Sequence, residues 1–193
     1  MKRSLSIKVI ILIIGFMVTL DQVSKYFIKT RMELFDSIPV LGSFFRITYV
    51  ENYGAAFGIQ LGNPKLFYTL SVIAAILVFY YLIRMRGKNW IPQLALAFIA
   101  SGAIGNLLDR FAHGKVVDFI DVEFFDIHIP SFKFIGMYIS EYSMTRWPVF
   151  NFADIAITCG MIIIISYLII IGDPFSSFAK PTVELSDEPD GNI

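Results

Sequence analysis

The chain has 193 residues, 56% of them hydrophobic and 17% charged, and its 16 Lys and Arg balance 16 Asp and Glu. Soluble domains hold roughly 45–50% apolar and about 25% charged residues, so this composition, with a mean hydropathy of +0.67, argues for an integral membrane protein of one domain. Zero net charge leaves no basic stripe for nucleic acid, and the one cysteine, Cys159, excludes an intramolecular disulfide, a Cys-rich metal site and a redox pair.

The first apolar run, Val9 to Leu20, has 12 residues. That is about 18 Å of helix, so crossing ~30 Å of hydrocarbon requires it to continue past Asp21 and Gln22, and a helix over 7–28 is predicted. Lys2, Arg3 and Lys8 ahead of it resemble the start of a secretory signal, but no small-x-small cleavage site follows, and the helix is expected to be retained. In the segment 29–65, Ser43 to Val50 is rich in Phe, Ile, Tyr and Val and is bounded by Gly42 and by Asn52-Tyr53-Gly54, which predicts a strand of a small sheet. Charge-free runs from Leu66 to Ile83 and from Asn89 to Leu108 predict helices over 66–83 and 90–108. Ala97, Ser101 and Gly105 recur every four residues on the second of these and predict a close-packing face. In the segment 109–148, Phe124, Phe125, Ile127, Ile129 and Phe132 are interrupted by Asp126, His128 and Lys133, which predicts an interfacial flap or a sheet element. The last charge-free run, Ile155 to Gly172, predicts a helix over 149–171, ended by Asp173-Pro174; the remainder, 173–193, reads as a disordered polar tail.

The expected fold is therefore an all-α membrane protein: a four-transmembrane-helix bundle with a small extracytoplasmic β-rich segment, in a single domain over 1–172. Lys2, Arg3, Lys8, Arg84, Arg86 and Lys88 sit in two short segments without acids, which places both segments in the cytoplasm and the segments 29–65 and 109–148 outside. Both termini are then cytoplasmic.

Ionisable residues at membrane depth mark function, and this topology gathers them at one level. Asp21 lies near the outer end of the first helix, Asn106, Asp109 and Arg110 end the third, and Asn151 and Asp154 open the fourth. Asp154 follows Trp147 by seven residues, roughly 10 Å inward if helical. Asp118, just beyond the third helix, can fold back over the bundle mouth. Two carboxylates at one level suit an acid/base pair, because mutual repulsion keeps one protonated while the other ionises. A structural role is equally open, with Asp154 pairing Arg110 or capping its helix and Asp118 capping a loop. Ser24 and Lys25, adjacent on a helix, point about 100° apart and make no dyad. His113 and His128 lack zinc spacing, and Cys159 is expected to pack as a small buried hydrophobe.

Five blocks carry a resemblance: Asp21-Gln-Val-Ser-Lys25, Asn52-Tyr-Gly-Ala-Ala-Phe-Gly58, Gly102-Ala-Ile-Gly-Asn-Leu-Leu-Asp-Arg110, Val116-Val-Asp-Phe-Ile-Asp121 and Phe150-Asn-Phe-Ala-Asp154. In this order they resemble the lipoprotein signal peptidases, or signal peptidase II, the membrane aspartyl proteases of bacteria. The resemblance implies that Asp118 and Asp154 are the catalytic dyad, and that Asp21, Lys25, Asn52, Gly54, Asn106, Asp109, Arg110, Asn151 and Ala153 line or brace the site. It implies no metal and no cofactor, a diacylglyceryl-modified prolipoprotein as substrate, membrane lipids as surroundings, a monomer, and the bacterial cytoplasmic (inner) membrane with the active site toward the outer leaflet. Ser101 replaces the usual glycine before Gly102, and the stretch from Phe119 to Phe150 is longer than the family commonly has. An ion transporter and a non-enzymatic scaffold are the rival classes. Charge spread through the membrane depth would mark the first, and free exchange of the carboxylates for amides the second.

Overall fold

The computed structural model describes residues 4–56, 59–60, 64–134, 137–139 and 141–172; Lys2, Arg3 and the tail 173–193 lie outside them. Helix α1 spans Ile7–Arg31, with Ser6 as N-cap accepting from the Val9 amide at 3.3 Å. Its 25 residues reach about 37 Å, enough to cross the bilayer and emerge from it. Strands β1 (Ser37–Leu41), β2 (Phe45–Asn52), β3 (Ala55–Ala56) and β4 (Ile59–Gln60) precede α2 (Pro64–Arg84) and α3 (Trp90–His113). Strands β5 (Val116–Ile129), β6 (Phe132–Phe134), β7 (Met137–Ile139) and β8 (Tyr142–Arg146) then lead to α4 (Phe152–Ile171). Among the described residues, α1, α3 and α4 are long and apolar enough to cross a membrane.

Helix α3 is central, packing against α1, α2 and α4. Water exclusion drives little helix association in lipid, so close backbone approach has to supply it, and small residues are what permit that approach. Ala97 and Ser101 are fully buried, and Gly102, Gly105 and Gly160 sit where a methyl group would not fit. A Cβ on Gly102 would lie 2.2 Å from the Ala153 carbonyl oxygen of α4, and one on Gly160 would lie 2.6 Å from the Ala95 carbonyl oxygen of α3. Ser101 satisfies its hydroxyl on its own helix, donating to the Phe98 carbonyl at 2.7 Å, so it fits without a polar cost. Outward side chains such as Leu12, Phe16, Ile169 and Ile170 are exposed, as lipid contact demands.

An antiparallel sheet of order β1-β2-β5-β8 covers one end of the bundle. The architecture is thus helices plus a sheet, and the all-α label is too narrow. The expected strand over 43–50 is β2, extended to Asn52, and it pairs β1 on one side and β5 on the other. Of the two forms open to the 109–148 segment, the sheet element is the one observed: β5 runs 14 residues, and β8 returns along it. Tyr49, Val117 and Phe119 form a second core between sheet and helices, against Ile28, Met32 and Phe152.

Five helix boundaries differ from those read in the sequence, among them the end of α1 at Arg31 and both ends of α2, and two of the shifts move site residues. Helix α3 continues five residues past Leu108 to His113 and stops at Gly114, whose φ of +71° closes it. Charge ends the hydropathy run there without ending the helix, because Asp109 is buried and paired. Helix α4 starts at Phe152, not 149: Phe150 makes a β-bridge with Ile120, and Asn151 caps the helix. The rise from Trp147 to Asp154 is therefore not helical throughout. At the opposite end of the bundle, Gln93 accepts from the Leu5 amide at 3.0 Å and donates to the Met85 carbonyl at 2.7 Å and the Lys88 carbonyl at 3.1 Å. The N-terminal segment and the α2–α3 turn thus share one end, and the sheet occupies the other.

Candidate active site

Asp21 and Lys25, four residues apart, share one face of α1, and that face meets α3 and α4. The Lys25 Nζ lies 2.8 Å from Asp21 Oδ2 and 2.8 Å from Asp109 Oδ2, with all three side chains buried. One ammonium between two carboxylates is a desolvated cluster in which each member is needed by the others, since a lone buried charge costs several kcal/mol. The remaining oxygens are bound too. Asp21 Oδ1 accepts from the Ala153 amide at 3.0 Å, and Gln22 Nε2 donates to Asp21 Oδ2, to the Gly105 carbonyl and to Asp109 Oδ1 at 3.1, 3.1 and 3.2 Å. A Cβ on Gly105 would come within 2.5 Å of Asp21 Oδ2, so this residue has to be glycine for the cluster to close.

Lys25 also donates to Asn106 Oδ1 at 3.1 Å, which leaves the Asn106 amide nitrogen to donate to Asp154 Oδ1 at 2.8 Å. Asp154 sits in the first turn of α4 in a capping box: its Oδ2 accepts from the Asn151 amide at 3.1 Å, and its own amide donates to Asn151 Oδ1 at 3.1 Å. The Asn151 Nδ2, fully buried, donates to Asp118 Oδ1 at 2.6 Å and to Asn106 Oδ1 at 3.2 Å. Asn52, at the end of β2, donates to Asp118 Oδ2 at 3.1 Å. Its own Oδ1 accepts from the Gly54 amide at 2.9 Å, across a turn that holds Gly54 at φ +114°.

Asp118 and Asp154 thus share Asn151 as a common contact, and both are held by carboxamides. Burial of Asp118, which is 3% exposed, raises its carboxyl from 3.8 to about 7; the Asp154 charge adds to the rise, and the Asn52 and Asn151 amides oppose it. Asp118 lies on β5, outside the helices, three residues after Lys115. Just beyond, Lys115 pairs with Glu51, which also accepts from Tyr49 at 2.8 Å. The Lys115 bond holds Glu51 below its usual carboxylate range, and burial with the Glu51 hydrogen bond lifts Tyr49 to about 12.

The structure brings Asp21, Lys25, Asn52, Asn106, Asp109, Asn151, Ala153, Asp118 and Asp154 into one hydrogen-bonded group, with Gly54 at its edge. Arg110 joins this group only at its margin: its Nη1 donates to the Asn106 carbonyl at 3.5 Å, and among the described residues it forms no ion pair. Asp154 both caps its helix, as the structural reading expected, and accepts from Asn106. Ser24 donates to the Asp21 carbonyl at 2.7 Å and takes no part with Lys25. Cys159, expected buried, is exposed on the outer face of α4, because Gly160 rather than Cys159 occupies the α3 contact. Gln22 was legible only as a neighbour of Asp21 at membrane depth. Two of its three bonds, to Gly105 and Asp109, depend on α3 lying alongside, which spacing does not reveal.

The family model described as signal peptidase (SPase) II matches residues 13–170. A lipoprotein signal peptidase of Syntrophus aciditrophicus (strain SB) is 38% identical over 156 residues, 78% of this chain and 86% of the relative. One from Staphylococcus aureus (strain JH9) is 37% identical over 159 residues, 82% and 86% of the two chains. The chain belongs to the signal peptidase II family. A solved bacterial membrane enzyme, determined by the in meso method at 2.3 Å, is 35% identical with a TM-score of 0.70, over 93% of this chain and 96% of that one. A second, at 1.9 Å, gives 36% and 0.69 over 89% and 99%. As a member of the signal peptidase II family, the protein is a membrane peptidase.

Proposed function

We propose that the protein is an intramembrane aspartyl endopeptidase that removes the signal peptide from diacylglyceryl-modified prolipoproteins, cleaving before the lipid-modified cysteine. The observation that carries this reading is the Asn151 bridge, which holds Asp118 on the sheet and Asp154 on α4 around one point. Asp118 keeps its proton near neutral pH, and Asp154 acts as the base. Asp154 takes a proton from water, the water oxygen attacks the scissile carbonyl carbon, and Asp118 gives its proton to the carbonyl oxygen. As the tetrahedral intermediate collapses, the C–N bond breaks, Asp154 gives the proton it took from water to the leaving nitrogen, and Asp118 recovers its proton from the gem-diol hydroxyl as the carboxyl product forms. Asn52, Asn106 and Asn151 hold the two carboxyls at fixed orientation, and the unused donors of Arg110 are suited to the peptide carbonyls. The protein acts as a monomeric unit over 1–172, with four spans, both termini cytoplasmic and the sheet at the outer leaflet of the inner membrane. There a substrate anchored by its lipid is confined to the depth of the dyad.

Turnover of a synthetic diacylglyceryl-modified precursor by purified protein tests this. Asp118→Asn and Asp154→Asn should each lose nearly all activity while remaining folded, since an amide matches the carboxyl's shape but cannot exchange its proton. Retention of more than about a tenth of the wild-type rate in both variants, about 1.4 kcal/mol of barrier, would exclude the dyad.

A further inference from the structure

We infer that Arg146 and Asp121 form a clasp that positions the two aspartates; this rests on the peptidase reading above and adds two positioning residues to it. Asp118 and Asp154 are separated by a long excursion through β5 and β8, and helix packing does not determine where the returning chain meets the sheet. The joint itself is at Phe150. The amides of Phe119 and Ile120 donate to the Phe150 carbonyl at 3.0 and 2.8 Å, and the Phe150 amide donates to the Ile120 carbonyl at 3.1 Å. These residues directly follow Asp118 and directly precede Asn151, so this short bridge carries the registration of one carboxyl against the other.

Beyond that joint the backbone pairing of the ribbon is interrupted. The β5–β8 ladder pairs Glu123 with Arg146 and then breaks register until Ile127 meets Met144. The Arg146 guanidinium lies at this break. Its Nε donates to Asp121 Oδ1 at 2.7 Å, Nη1 to the Ser43 carbonyl at 2.9 Å, Nη2 to the Asp121 carbonyl at 3.4 Å, and Nη1 approaches Glu123 Oε2 at 3.5 Å. Asp121, 6% exposed, takes a second bond on Oδ2 from the Thr48 hydroxyl of β2 at 2.7 Å. The Trp147 amide follows with a bond to the Val122 carbonyl at 3.0 Å. One planar fork therefore ties β8, β5 and the β1–β2 turn together just outside Phe150, a geometry an ammonium does not reproduce. Among the described residues, the bonding partners of the Asp118 and Asp154 carboxyls are Asn52, Asn106 and Asn151, so Arg146 and Asp121 act through the strand.

The test compares wild type with Arg146→Gln, Arg146→Lys, Asp121→Asn and the double variant R146Q/D121N on a diacylglyceryl-modified precursor in micelles, with rates normalised to folded monomer. His128→Gln is the control, since it breaks the exposed His128–Glu141 pair farther along the same ribbon. Because a misplacement of about 1 Å can cost up to about a hundredfold in rate, kcat should fall at least tenfold in R146Q and D121N with KM within threefold of wild type. The double variant should be no slower than the slower single, and H128Q should match wild type. The alkaline limb of the pH profile should move to lower pH, since a looser joint relieves both the burial of Asp118 and its repulsion by Asp154. Arg146→Lys should change in the same direction, and it decides with D121N if R146Q yields no folded monomer. Folded variants with kcat within twofold of wild type, or losses that follow KM, overturn the clasp while wild-type turnover upholds the peptidase. Absence of wild-type turnover overturns both.

Discussion

At the scale of single residues, the arrangement depends on which atom each carboxamide presents. Lys25 claims the Asn106 oxygen and thereby turns its nitrogen to Asp154, and Asn52 presents its nitrogen to Asp118. Asp118, with its carboxyl at about 7, should produce an alkaline limb in kcat/KM near that pH if its proton is the one donated. Asn52 donates to the ionised form and lowers that value, so Asn52→Ala should shift the limb to higher pH as well as slow the enzyme; an unmoved limb would assign it elsewhere. The sign for stability follows from linkage: a carboxyl raised in the folded state stabilises at low pH, and this contribution is lost as pH rises from about 4 through about 7. Lys25→Met strands Asp21 and Asp109 without their cation and should cost about 3–5 kcal/mol, read as a marked drop in Tm. Adding Asp109→Asn to Lys25→Met should recover part of that loss, and a further drop would mean the triad is not one electrostatic unit.

At the scale of elements, the site is carried by the close approach of α3 to α4. The Gly102 position leaves no room for a methyl against the Ala153 carbonyl, and Ala153 is also where the backbone donates to Asp21. Gly102→Ala would gain about 1 kcal/mol of helix propensity on its own. Here it must push α4 outward, so thermal unfolding should show a lower Tm and turnover should fall as Asp154 leaves Asn106. A variant as stable and active as wild type would show that the two helices can separate without harm. Strand β5 is the second carrier, presenting Asp118 to Asn52 and Asn151 and Val117 and Phe119 to the second core.

At the scale of the whole molecule, the sheet and the Gln93 tie lie at opposite ends of the bundle, so labels at the two ends test the proposed sidedness. With Cys159 replaced by Ala, single cysteines at Leu41 and at Lys88 should react with a membrane-impermeant reagent from the outer and the inner side respectively. Labelling of the Leu41 position from the cytoplasm would invert the proposed topology and place the dyad on the wrong face for an outer-leaflet substrate.

Length, hydropathy and the spacing of charges determined the membrane class and the helical runs, because burial in lipid is a local property of composition. The motif blocks carried the family. Hydropathy misplaced the end of α3 because it registers the cost of a charge and not the partner that offsets it: Asp109 continues its helix once Lys25 and Gln22 are present. The start of α4 was misplaced because the bridge from Phe150 to Ile120 keeps that segment on the sheet until Asn151 caps the helix. What only the tertiary structure decided is pairing. That Asn151 touches both aspartates, that Gln22 joins the triad, that Arg110 holds no carboxylate among the described residues and that Arg146 grips Asp121 all depend on contacts between segments distant in sequence. No periodicity along one chain encodes such contacts.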